Sequence, residues 1–195
     1  MHEWFVSAPR TKHVFNMKKL ISKETELHLL KLGLYQIVGG AIGLLVFLWV
    51  VYAGQIFTGP VIILYVLIFI FYVYSIYCGI LCIKVKQSAL KLSLINQLIQ
   101  LIGFTVVGFS FNYVAGVYIR VGLDITSSMN FDFGIGISSF WLSTISEPNR
   151  FIIDINLIAL VLIIWIDSVR TRVKEEIAFR NMSSIVSSIG EGYEA

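Results

Sequence analysis

Four apolar stretches, at residues 32–52, 61–83, 92–118 and 151–166, divide this chain, and its basic residues lie lopsidedly between them. A bilayer core about 30 Å thick takes about 20 apolar residues as a helix, and the first three stretches reach that length without a charge. The fourth is shorter and carries Asp154 near its start, although residues 157–166 are uncharged. At 57% hydrophobic and 14% charged residues the chain lies well below the roughly 25% charge of a soluble domain. The expected fold is therefore an all-α membrane protein, a four-helix transmembrane bundle. Its divisions would be a cytoplasmic segment at 1–30, a membrane domain at 31–168 and a cytoplasmic tail at 169–195.

The basic residues orient that bundle, because cytoplasmic connections retain Lys and Arg. Arg10, Lys12, Lys18, Lys19, Lys23 and Lys31 precede the first stretch; Lys84, Lys86 and Lys91 follow the second; Arg170, Arg172, Lys174 and Arg180 follow the fourth. The first connection has none, and the third has only Arg120 and Arg150. Both termini are expected in the cytoplasm, with the protein in a plasma membrane or bacterial inner membrane. The net charge of +3 is thus a topology signal, and no nucleic-acid partner is expected. A signal peptide puts a short basic region ahead of about 7 to 15 apolar residues, so the later and longer first stretch reads as an uncleaved anchor.

Polar residues inside apolar stretches require partners and often mark a pathway. Gln36, Asn96, Gln97 and Gln100 form a candidate polar layer toward the inner side, and Asn112, Asp154 and Asn156 a candidate outer polar site. The inner amides do not ionise, so cross-helix hydrogen bonds suit them better than proton transfer. Asp154, at the outer interface, is expected to be either hydrated or paired with Arg150 or Arg120. Gly39 and Gly43 have the spacing that lets helix backbones approach, and Gly103 and Gly108 are further candidate packing positions. Cys78 and Cys82 share one helix face and are read as packed thiols. Ser22 is placed to cap the first helix, with Glu24 and Glu26 complementing its positive end.

The third connection, 119–150, reads as β-structure. Ile119, Val121, Leu123 and Ile125 alternate with polar or glycine positions, as do Phe131, Phe133, Ile135 and Ile137. A small extracytoplasmic β-hairpin or three-stranded sheet between the third and fourth helices is expected. Phe131, Phe133, Ile135, Ile137 and Trp141 are its candidate contact surface. Four passes with a large loop before the last resemble a tetraspanin in topology alone, and the loop lacks cysteine.

No catalytic motif appears. His2, His13 and His28 have no cysteine nearby and no zinc-site spacing, so no metal and no cofactor are expected. The expected function is non-enzymatic: an integral membrane protein acting through assembly, as a homo-oligomer or small subunit of a membrane complex. Its partners would be the lipid bilayer and itself or another membrane protein. The alternative is a small channel, pore-forming or transport protein, such as a bacterial defence or toxin-immunity component.

Overall fold

A computed structural model describes residues 17–53, 59–107, 109–126, 129–144 and 150–191. Gly108, the Ser127–Ser128 turn, His2 and His13 lie outside them. A short 3-10 turn, Met17–Lys19, leads into α1, Lys23–Tyr52, and α2 comes next at Gly59–Ile83. Ser22 caps α1 as expected, its hydroxyl accepting from Thr25 N at 3.2 Å. α1 and α2 are both long and apolar enough to cross a membrane. Their backbones come together where Gly33 faces Gly79: a Cβ on Gly33 would stand 2.7 Å from the Gly79 carbonyl oxygen.

The rest of the chain overturns the four-helix bundle. α3 occupies only Ala89–Leu101, and the chain turns there into β1, Ile102–Val106. β2, Phe109–Asp124, β3, Asn130–Thr144, and β4, Phe151–Asn156, complete a four-stranded sheet before α4, Leu157–Glu191. The fold is α+β. The third apolar stretch is thus part helix, part hairpin, and the fourth is a strand running into a helix. The physical reason lies in residue type rather than hydropathy. Leu, Ala, Lys and Gln favour the helix at 89–101, whereas Ile, Val, Phe, Tyr and Thr dominate 102–118 and fit a pleated sheet.

The sheet is antiparallel in the order β1, β4, β2, β3. β1 pairs with β4 and also with the start of β2, while β4 pairs with the end of β2. The long β2 therefore bends round so that its two ends flank the β1–β4 pair, curling the sheet on itself. The bend sits at a register shift between Val114 and Val117, where Gly116 has φ of 117° and Ser138 on β3 has φ of 33°. A left-handed φ is natural for glycine and strained for serine. Ser138 is held there by its hydroxyl, which accepts from Gly116 N at 2.9 Å and donates to the Gly39 carbonyl at 2.8 Å. The hairpin expected from the alternation at 119–137 is present, as one half of this much longer β2–β3 ribbon.

Two apolar clusters hold the molecule together. One joins Met17, Ile21, Leu29, Val85, Leu90, Val169 and Val173, and so brings the start of α1, the α2–α3 connection and α4 to one end. The other places Tyr113 and Ala115 of β2 against Phe47, Ile68 and Tyr72. The sheet thus runs alongside the middle of α1 and α2, with Tyr35 bonded to the Val117 carbonyl at 3.1 Å and Phe47 stacked on Phe140 at 5.7 Å.

Candidate functional site

Strand alternation sorts the curled sheet into two chemically opposite faces. Across the strands, Phe104, Ile153, Leu123 and Phe131 form one register row, and Ile102, Ile155, Val121 and Phe133 the next. Apart from Phe104, which also borders the cavity of the inner face, these face outward, and Phe131, Phe133, Ile135 and Ile137 are 70%, 73%, 79% and 61% exposed. The intervening row reads Gly103, Asp154, Gly122, Asp132. This inner face borders a half-open cavity of about 540 Å3, lined by Thr105, Ser110, Asn112, Tyr118, Arg120, Asp132, Arg150 and Asp154 and also by Phe104, Phe111, Phe140 and Ile152.

Glycines make that lining possible. A Cβ on Gly122 would collide with the Asp154 carboxylate, and one on Gly136 would stand 2.7 Å from the Tyr118 hydroxyl. Gly134 lies under the Arg120 guanidinium, where a Cβ would come 3.3 Å from Nη2. The regular glycines of the sequence are therefore the floor across which charged side chains lie. Arg120 Nε stands 3.8 Å from Asp154 Oδ1, too far for a hydrogen bond, and is buried without a hydrogen-bond partner. The Arg120 guanidinium also lies 5.9 Å from the Tyr118 ring centroid. Arg150 is drawn instead to Asp124 at 3.7 Å. Hydrogen bonds from the Thr126 hydroxyl and amide, and to a lesser degree the charge of Arg150, hold the Asp124 carboxyl below its usual range.

The predicted outer site is only partly assembled. Asn112 and Asp154 line the cavity and meet across Gly103, whose Cβ would be 3.2 Å from Asp154 Cβ and 3.4 Å from Asn112 Cγ. Gly103, expected as a helix-packing position, belongs instead to β1, because α3 ends at Leu101. Asn156 is separate: its Oδ1 accepts from Ile158 N at 3.1 Å and Ala159 N at 3.4 Å and so caps α4. Trp141 lies opposite Asn112 in the strand register, and its side chain is outside the described residues. Sequence reasoning missed Tyr118 and Asp132 as cavity residues. Their signal was present, since both sit in the polar phase of an alternating run.

The inner amides lie within the protomer. Gln36 Oε1 accepts from Ser93 Oγ at 3.1 Å, and the Ser93 hydroxyl lies 3.2 Å from Cys82 Sγ. Asn96 Nδ2 donates to Ser75 Oγ at 3.1 Å, and Gln100 Oε1 accepts from Ala115 N at 2.9 Å. The layer ties α3 to α1, α2 and β2. Gln97 differs, because both its amide atoms are buried without a partner. Gly39 and Gly43 also face inward. A Cβ on Gly39 would stand 2.6 Å from Gly116 N, and Gly43 is covered by the Tyr72 ring.

No candidate metal cluster occurs among the described residues. Comparison with protein families, with curated proteins and with solved structures finds no match.

Proposed function

We propose that this is a non-enzymatic integral membrane protein that acts through assembly with copies of itself or with another membrane protein. In this reading α1 and α2 cross the bilayer and the curled sheet lies beside them, its outer face turned to lipid. The single observation that carries it is the sorting of the sheet, with apolar rows outside and the charged Arg120, Asp132 and Asp154 within, alongside the middle of the two apolar helices. That is the lipid-facing pattern of a membrane β-sheet. The basic residues support cytoplasmic termini, because Lys18, Lys84, Lys86, Arg170 and Arg172 adjoin in sequence the residues Met17, Val85, Val169 and Val173 that the first core cluster brings together.

Assembly is supported by the outer edge of β3, which has no strand partner among the described residues. β3 carries no Lys, Arg or Pro to blunt that edge. In lipid an unpaired edge is costly enough that another chain or element must cover it. Native mass spectrometry and crosslinking in mild detergent test the reading: a discrete oligomer or a stoichiometric partner is expected. A strict monomer with nothing co-purifying overturns it.

A channel or transport role is the second reading, and the polar inner face favours it. Flux through reconstituted liposomes that changes in Arg120→Gln would establish that role in place of pure assembly.

A further inference from the structure

We propose that the cavity within the sheet binds a phosphoethanolamine group, with the phosphate on Arg120 and the ammonium between Asp132 and Asp154. The charges themselves call for a ligand of both signs. Arg120 presents a buried N–H with no acceptor, and its nearest carboxylate oxygen is beyond hydrogen-bond range. An anionic oxygen is the group that completes it, since Arg forms its strongest bonds to carboxylates and phosphates.

The cationic half rests on the register. Asp154 and Asp132 flank Gly122 on the two neighbouring strands; the Asp154 carboxylate lies over this glycine, the Asp132 Cβ stands beside it, and Gly122 adds no side chain between them. Asp132 makes no ion pair among the described residues, and Arg150 is engaged by Asp124. Two carboxylates across one open space repel each other unless a cation lies between them. A primary ammonium carries three N–H donors and bridges both; a quaternary ammonium has none.

Phosphate suits the other half better than a carboxylate does. Arg120 can hold a phosphate through two parallel N–H bonds, and the Asn112 amide and the Thr105–Ser110 hydroxyl pair, whose oxygens are 2.6 Å apart, line the same cavity. Phe111 and Phe140 complete an apolar wall and stack respectively on Phe71 of α2 and Phe47 of α1. That wall joins the cavity to the apolar helices, and gives the stem of an amphiphile an apolar exit.

The test measures binding to the purified full chain in detergent micelles doped with phosphatidylethanolamine, phosphatidylcholine or phosphatidylglycerol, by native mass spectrometry. In parallel, thermal unfolding is monitored with free phosphoethanolamine. Phosphatidylethanolamine is expected to bind about tenfold or more tightly than either other lipid. Arg120→Gln and Asp132→Asn should each abolish that preference. Asp132 is exposed, so its variant keeps the test alive should Arg120→Gln unfold. If free phosphoethanolamine also raises the unfolding temperature in an Asp132-dependent way, the soluble compound is a ligand too; if only the lipid binds, the source is the membrane. Equal retention of the three lipids, or a preference that survives both variants, overturns the proposal. The oligomeric state does not enter this readout, so assembly and head-group binding fail separately.

Discussion

At the level of single residues, the amide layer shows how polar groups inside an apolar protein divide between glue and burden. Gln36, Asn96 and Gln100 each exchange at least one hydrogen bond with a neighbouring element, the kind of contact worth about 1 kcal/mol between helices in membranes. Gln97 is equally buried and has none. A buried polar group left unpaired costs about 1–3 kcal/mol, whereas an apolar group of similar shape does not. Gln97→Leu should therefore stabilise the protein by about 1–3 kcal/mol. Thermal or denaturant unfolding in detergent checks this, and a lower midpoint would mean that the amide has a buried partner such as water. The sequence marked all four amides as a layer, because each interrupts an apolar run. It offered no way to tell Gln97 from the others, since that difference depends on how α3 is turned against its neighbours.

Elements in this protein are set less by hydropathy than by how each residue type fits the pleat or the helical turn. Four apolar stretches were legible, and so was the alternation that produces the outer part of the β2–β3 ribbon. The conversion of α3 into β1 was overlooked, because hydropathy and uncharged length do not separate helix from buried strand, although β-branched and aromatic residues crowd 102–118. Length favoured a helix at 92–118, and tertiary pairing with β4 and β2 overrode it. The long α4 reaches back to the start of α1, a contact that no local pattern announces. Glu176 there accepts hydrogen bonds from Ser22 N at 2.7 Å, Ser22 Oγ at 2.7 Å and Thr25 Oγ1 at 2.8 Å. Burial works against its charge, but these bonds and Arg180 outweigh it and lower the pKa below the ordinary 4.5. A depressed folded pKa contributes stability above the unfolded value, and that stability is lost as pH falls through the folded one. Glu176→Gln should thus lower the unfolding temperature at pH 7, with the difference from wild type shrinking below pH 4.5. A constant difference down to pH 3 would show that the clasp does not act through the carboxylate charge.

Over the whole molecule, the two apolar helices and the sheet make a single lipid-compatible surface only if the sheet shares their depth. The contacts from Tyr35 to Phe47 place its bend and the adjoining strands along the middle of α1. Strand residues rise about 3.3 Å each, so the apolar run Phe131 to Ile137 extends about 20 Å along the strand, most of the roughly 25 Å height of a membrane β-sheet's apolar band when the strand stands upright. Facing lipid on one side and a charged cavity on the other, such a sheet should give opposite environments at successive residues. Nitroxide labels on single cysteines at positions 131 to 137, with the buried Cys78 and Cys82 replaced by alanine, measure this directly in reconstituted bilayers. Labels at Phe131, Phe133, Ile135 and Ile137 should relax with dissolved oxygen, which partitions into lipid. Those at Asp132, Gly134 and Gly136 should relax with a water-soluble nickel reagent. If instead water reaches all seven positions equally, the sheet stands outside the bilayer, and its apolar face belongs against another protein rather than lipid.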